Sequence, residues 1–291
     1  MRYKNVIQFS TLWHSKRFTS IFGKIIAYSL LIFFAVIFLI PFFWELSSSL
    51  KTQQQIFTYP IKWIPNPIVW SNYTKIWEVL PFKIFLKNSI VVSTLVLIGH
   101  LLSSTLVAYG FARKRFWGKD ILFTILLATM MIPGQVTMIP VFILFRRLGW
   151  INTLKPLIVP SYFGSAFYIF LLRQFFLTIP NELDEAAVLD GCSSFRIFTS
   201  IILPLSKPAL TTVAIFSFLQ SWNDFFNPLI YLNSLEKKTL TLGLALFRGE
   251  YSTEWGLLMA ATVQITLPCL VLFFLCQKYF VEGIVLTGLK Q

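Results

Sequence analysis

The chain is predicted to be an all-α integral membrane protein with six transmembrane helices and both termini in the cytoplasm. Three observations predict this. The mean hydropathy is +0.71, and only 13% of the residues are charged while 31 are phenylalanine; soluble domains carry about a quarter charged residues. Runs of about twenty mostly apolar residues, enough to cross a hydrocarbon core as helices, occur at Ile25–Trp44, Ser89–Phe111, Ile121–Phe145, Pro156–Phe176, Pro208–Leu232 and Leu257–Phe280. The segment before the first run carries Arg2, Lys4, Lys16, Arg17 and Lys24 with no acid among them, which places residues 1–24 in the cytoplasm by the positive-inside rule.

The first run is longer than the h-region of a signal peptide, and no small-residue cleavage site follows it, so it is expected to remain as a membrane helix. Residues 45–88 then form an extracytoplasmic loop holding Tyr59, Trp63, Trp70, Tyr73 and Trp77, punctuated by Pro60, Pro65 and Pro67. Such a loop either caps a pore, meets an external partner or lies as an aromatic belt at the headgroups. Residues 89–280 hold the other five spans. Arg113, Lys114, Arg115 and Lys119 after span two agree with a cytoplasmic loop, whereas Arg146, Arg147 and Lys155 fall outside, so orientation rests mainly on the N-terminal segment. Span three contains Met131-Ile132-Pro133-Gly134 and Ile139-Pro140, two breaks that line a path or serve as packing kinks.

Residues 178–207, between spans four and five, form a polar island on the cytoplasmic side. A short helix there has Asn181 as its N-cap, Glu182, Asp184 and Glu185 in the first turn where the helix dipole favours anions, and Gly191 as the left-handed residue that ends it. The three- and four-residue steps between Leu183, Ala186, Ala187 and Asp190 put both alanines on one face that a partner can approach closely. Ser193 or Ser194 caps a second helix leading to Ile201-Ile202-Leu203-Pro204.

Within the spans the carboxylate of Asp224 is exceptional, while Arg173 and Lys278 are placed to snorkel from helix ends. It belongs to Ser221-Trp222-Asn223-Asp224-Phe225, an aromatic and hydrogen-bonding mixture suited either to a polyhydroxylated ligand or to holding neighbouring helices together. Asn227 and Pro228 mark a point where the backbone opens. The net charge of +13 comes without a basic stripe or zinc-ligand spacing, which argues against nucleic acid. Cys192, Cys269 and Cys276 form no ligand cluster, and His14 and His100 lack the spaced partner a metal site needs. There is no phosphate-binding loop: Gly283 to Gly288 is followed by Leu289 and Lys290 with no hydroxyl beyond. No catalytic residue is expected, and the chain itself binds no cofactor.

The island at Glu185-Ala186-Ala187, Asp190-Gly191 and Ile201 to Pro204 resembles the EAA loop of ABC importer permeases. Other segments are similar to the sugar-uptake branch with six spans, the maltose-permease-like type: Asn72-Tyr73, Asn88-Ser89, Ala108-Tyr109-Gly110-Phe111-Ala112-Arg113, Met131 to Pro140, Leu148-Gly149 with Asn152-Thr153, and Trp222-Asn223-Asp224-Phe225. The tail, residues 281–291, matches only partly. The resemblance implies a type I importer permease fold, with Glu185, Ala186, Ala187, Asp190, Gly191, Ile201, Leu203 and Pro204 docking on a cytoplasmic ATPase. It further implies a second homologous permease, two ATPase subunits that bind ATP and magnesium, an extracytoplasmic solute-binding protein and a sugar cargo, all at a prokaryotic cell membrane. Trp222, Asn223, Asp224, Phe225 and Asn227 are then the candidates for the substrate path. Glycerol phosphate or another non-sugar cargo, an ion-coupled secondary transporter, and a scaffold without transport are the alternatives.

Overall fold

A computed structural model describes residues 5–247 and 253–288, with side chains described at 21, 23–247 and 253–278. Arg2, Lys4, the tail beyond Gly288 and the side chains of Lys16 and Arg17 lie outside the described residues. Every regular element among the described residues is helical. In chain order these include α1 (Asn5–Ser49), α2 (Asn72–Val79), α3 (Phe82–Arg113), α4 (Lys119–Thr129), α5 (Gly134–Arg147), α6 (Ala166–Phe176), α7 (Glu182–Leu189), α8 (Ser194–Ile197), α9 (Lys207–Trp222), α10 (Phe226–Tyr231) and α11 (Trp255–Gly288). Segments 23–49, 82–113, 155–176 and 255–278 are each long and apolar enough to cross a membrane, and the number of spans reaches six if two bent pairs are counted as one span each.

The spans differ from the sequence expectation at their ends and breaks. Helices α1, α3 and α11 run past the predicted boundaries, since the residues flanking each apolar run contain no proline to stop the helix. Span three is bent by 96° between α4 and α5. Pro133 has no N–H to donate and takes an extended conformation, so the helix stops before it and restarts at Gly134. The second predicted break is absent: α5 runs through Pro140. A second bend, of 79°, joins 194–205 to α9 just before predicted span five, and α9 ends at Trp222, five or six residues before the predicted opening at Asn227 and Pro228, through which the short α10 runs.

Helix α3 is the centre of the fold. It packs against α6, α9 and the 3-10 turn Val159–Phe163, while α11 packs against α1, α2 and α9. Close approach to the turn requires glycine at 99, where a Cβ would fall 2.2 Å from Ser161 Oγ. Along α3 the hydroxyls of Ser103 and Thr105 return to the carbonyls of Gly99 and Leu101, which satisfies them in apolar surroundings. One buried cluster gathers at the C-terminal end of α3, where Ala108, Tyr109 and Phe111 meet Tyr168, Leu172, Phe176, Ile202 and Val213. A second gathers at its N-terminal end, where Phe82 and Phe85 meet Ile76, Trp222, Leu240 and Ile265.

The loops at the second end are held by side-chain amides. Asn72 Nδ2 donates to the carbonyls of Ser49 and Lys51 at 2.9 and 3.0 Å. Asn88 Nδ2 donates to those of Glu236 and Lys238, both at 2.9 Å, and Ser89 Oγ accepts from Leu240 N. Asn152, at φ 60°, accepts from the backbone N–H groups of Asn233 and Ser234 and donates to Ser234 Oγ. Of the aromatic residues in 45–88, Tyr59, Trp63 and Trp70 are exposed, whereas Tyr73 reaches Ser49 Oγ at 2.7 Å and Trp77 packs edge-on against Phe82.

Candidate functional site

Two places carry the sequence-predicted residues: the elbow at 178–207, and a cavity beside the break after α9. In the elbow, α7 ends in the Schellman pattern. Gly191 at φ 78° directs its own N–H to Val188 O and that of Cys192 to Ala187 O, so the carbonyls of the last turn are satisfied. Ser193, extended at ψ 157°, then caps α8 by accepting from Arg196 N. The N-cap position of α7 is Asn181, as expected, but its side chain does not cap; its Oδ1 accepts from Arg113 Nη1. A guanidinium offers a charge-assisted bond that a helix-end amide cannot match.

The two alanines do not share a face. Ala187 is buried in the cluster at the end of α3, while Ala186 is exposed. Ile201 and Leu203 also pack against that cluster, so of the predicted docking residues Glu185, Ala186, Asp190, Gly191 and Pro204 point outward. Around them stand exposed apolar side chains: Leu183, Val188, Phe195 and Leu189, the last at 89%. Before Pro204 the chain makes one π-helical turn, Phe198–Ile202, closed by Leu203 N to Phe198 O; a proline with no N–H to give makes that shift in register cheap.

Helix α3 grips both halves of the elbow. Arg113, whose side chain is 2% exposed, donates to Ile179 O at 2.6 Å and lies 3.7 Å from Asp184. Tyr109 Oη donates to Ser194 O, and Lys114 Nζ to Ser194 Oγ at 2.7 Å. The elbow is therefore fixed to a helix distant in sequence as well as to its two neighbours.

The cavity has a volume of about 710 Å³ and opens between α3, α5, the 155–165 segment, α9 and α10. It lies between the two clusters, with Val92, Val96 and His100 of α3 on one wall. Asp224 and Asn227 line it, and Trp222, Asn223 and Phe225 do not. The indole of Trp222 turns away, stacks on Phe218 at 5.3 Å and donates to Ile265 O at 3.1 Å. Asn223 donates back to Leu219 O and closes the end of α9, while Phe225 is exposed. Asp224 accepts from Asn227 N at 3.1 Å and Asn227 Nδ2 at 2.8 Å, starting the short α10 as an N-cap would. Thr241 Oγ1 donates to its carbonyl, so the break leaves these groups satisfied.

Several residues in and behind the cavity wall carry almost no signal in the local sequence pattern. His100 Nδ1 pairs with Ser217 Oγ at 2.9 Å, and its ring sits edge-on to Tyr168 at 4.9 Å. Tyr168 Oη donates to Gln220 Oε1 at 3.0 Å. Opposite, Trp150 stacks on Phe145 at 5.4 Å and Tyr231 meets Phe145 at 5.3 Å, a wall positioned by Asn152, whose N–H donates to Tyr231 O. The available signals were Gln220 one turn before Asp224, and a lone imidazole in an apolar run.

Residues 101–285 match the model of a family described as "Binding-protein-dependent transport system inner membrane component". The chain is 35% identical over 260 residues to the arabinooligosaccharides transport system permease protein AraQ of Bacillus subtilis (strain 168), covering 88% of this chain and 92% of that protein. It is 33% identical over 264 residues to the trehalose/maltose transport system permease protein MalG of Thermococcus litoralis, covering 89% and 94%. Its fold is similar to a chain in the crystal structure of a bacterial ABC transporter involved in the import of the acidic polysaccharide alginate, with a TM-score of 0.80, 26% identity, and coverage of 91% of this chain and 98% of that one.

Proposed function

Because the chain belongs to the family of binding-protein-dependent transport system inner membrane components, we propose that it forms half of the membrane pathway of an ATP-driven sugar importer. The other half is a second homologous permease, and an extracytoplasmic binding protein delivers the solute to the pair. It is a multi-pass ABC transporter permease, a transport component. ATP and magnesium bind on two cytoplasmic ATPase subunits. The elbow at 178–207 seats in a cleft on one of them, with Glu185, Ala186, Asp190, Gly191 and Pro204 at the contact and Ala187, Ile201 and Leu203 backing it from within. Closure of the ATPase pair moves the elbow, and the bundle alternates between outward and inward access. Asp224 and Asn227 face the solute path, and Trp222, Asn223 and Phe225 shape the break that presents them.

The observation that carries this reading is the elbow's outer surface. An ordered helix-turn-helix, anchored by Arg113 and Tyr109, holds Leu189 at 89% and Phe195 at 68% exposure beside an acidic first turn. Apolar side chains held so far out on a rigid, polar segment are the mark of a surface made to be covered. The test is Leu189→Asp, which lies outside every packed cluster, together with Gly191→Asp. Both are expected to abolish co-purification of the ATPase subunits and ATP-dependent uptake; ATPase binding and uptake at wild-type levels in both would refute the docking assignment.

A further inference from the structure

We infer that the stretch from Phe57 to Trp70 lies in the headgroup layer of the bilayer, an almost uncharged aromatic belt that binds lipid between the ends of α1 and α11, and is not a surface for a soluble partner. The inference needs only that the chain spans a membrane; it is independent of the cargo and of the elbow. The stretch is ordered by its own bonds. Thr52 and Gln55 form a capping box over the single turn Gln53–Ile56, Gln55 Nε2 donates to Asn66 O, and Val69 N donates to Leu50 O at 2.9 Å. At α11, Gln53 donates to Thr253 O at 2.7 Å and accepts from Trp255 N at 3.0 Å, and Phe57 lies edge-on to Trp255 at 6.2 Å. At α1 the chain doubles back. Trp63 O accepts from Ser47 Oγ, and the Trp63 ring meets that of Trp44 edge-on at 5.4 Å. Trp44 precedes Ser49, the last residue of α1, by about 7 Å along the helix axis at 1.5 Å per residue, so Trp63 stands beside the apolar span and not beyond it.

Composition decides between lipid and protein. From Thr52 to Thr74, Lys62 is the one charged residue, while Phe57, Tyr59, Ile61, Trp63, Ile64 and Trp70 are exposed, Tyr59 at 90% and Ile64 at 81%. A partner that comes and goes leaves its docking surface in water between encounters, and apolar side chains in this number form a patch that water disfavours. Surfaces made for such partners keep a polar rim. The elbow shows that difference, since its exposed apolar side chains stand beside Glu182, Asp184 and Glu185. Lipid, by contrast, is always present. Trp and Tyr concentrate at headgroup level, where the ring meets the acyl chains and the N–H or O–H meets water, and a lysine stem there extends its ammonium to the phosphates. Pro60, Pro65 and Pro67 carry no N–H, which removes backbone donors at a depth where unpaired ones are costly. A single cation adds little attraction to anionic lipid, so zwitterionic lipid suffices. With residues 1–24 in the cytoplasm, the leaflet is the outer one.

The experiment uses the full chain, assembled with its partner subunits, in phosphatidylcholine vesicles. Cys192, Cys269 and Cys276 are replaced by alanine. Ile61→Cys and Ile64→Cys, made separately, each carry a nitroxide, and Lys237→Cys, at an exposed position in another connection, supplies the reference in water. Electron paramagnetic resonance reads the collisions of each label with oxygen, which partitions into the acyl region, and with a water-soluble nickel chelate. Both belt labels are expected about 5–10 Å into the headgroup boundary, with oxygen favoured over nickel relative to the Lys237 label. The depth should be unchanged when the binding protein is added or when phosphatidylglycerol replaces part of the phosphatidylcholine. Labels open to the nickel chelate in the absence of the binding protein overturn the inference, and their protection on its addition would assign the stretch to that protein. Labels shielded from both reagents overturn it in favour of the second permease. Entry into the bilayer only with phosphatidylglycerol overturns the uncharged mode of binding. Failure of the importer reading leaves the test intact, since the chain alone in the same vesicles should give the same depth.

Discussion

Replacing Arg113 by alanine should loosen the elbow without touching its outer surface. The side chain is 2% exposed and makes two charge-assisted bonds, to Ile179 O at 2.6 Å and to Asn181 Oδ1, plus an ionic contact at 3.7 Å to Asp184. A bond to a charged group contributes about 1.5–3 kcal/mol. The Asp184 contact adds less than about 1 kcal/mol, because the carboxylate is 21% exposed and solvent screens it. Asn181 is exposed and recovers part of its loss by binding water. The net cost is about 3 kcal/mol, confined to the segment joining α6 to α7, which corresponds to about a hundredfold rise in its local opening equilibrium. Hydrogen exchange followed by mass spectrometry reads this directly: amides of 178–191 should exchange about a hundredfold faster, while those at the other end of α3 keep their protection. Arg113→Lys keeps the charge but not the planar fork and should fall between. Exchange in 178–191 within threefold of wild type would show that the elbow is held by its own caps and that the clamp contributes nothing.

Gly243→Ala should destabilise the protein by about 1–3 kcal/mol through overpacking, since a Cβ at that position falls 2.4 Å from the fully buried ring of Phe85; thermal unfolding in detergent checks it, and Phe85→Leu in the same chain should recover most of the loss. Lys51 is 1% exposed, its Nζ lies 4.3 Å above the Trp44 ring, and it has no hydrogen-bond partner among the described residues. Burial pushes its ammonium below the ordinary lysine value of 10.5, so the folded state carries a penalty at neutral pH that fades as pH rises through the depressed value toward 10.5. Lys51→Met should therefore raise the unfolding midpoint at pH 7, by about 1 kcal/mol in stability, and the gap from wild type should close in alkaline buffer; a gap independent of pH would mean the gain is packing alone.

Local chemistry was legible in the sequence wherever it decides the outcome locally. Gly191 and Ser193 behave as their spacing predicts because the Schellman turn and the cap involve only residues within five positions of each other. Asn181 misleads because its competitor, Arg113, is 68 positions away. Helical spacing groups Ala187 with Ala186 on the outer face, and only the cluster beneath reveals which side is inward. The same limit hides the cavity. His100 and Ser217 are 117 positions apart, and Tyr168 and Gln220 are 52 apart, so nothing in either local pattern links them. The polar neighbours of Trp222 suggest a ligand face, yet its indole finds a buried carbonyl on α11. Conversely, Asn72, Asn88 and Asn152 were legible only as a family likeness, and their physical role is now plain: each amide ties together backbone segments that have no regular pairing of their own.

The length of α3 has a mechanical consequence. Its 32 residues give a rod of about 48 Å at 1.5 Å per residue, with no proline along it to act as a hinge. It is fastened at one end to the elbow through Tyr109, Arg113 and Lys114, and at the other to residues 236–240 through Asn88 and Ser89. A tilt of about 5° about the elbow end carries the far end through about 4 Å, wider than a water molecule. His100, near the middle, travels less than half as far. In a rod of this length a displacement at one end is magnified at the other, while the residues near its middle, His100 among them, move less.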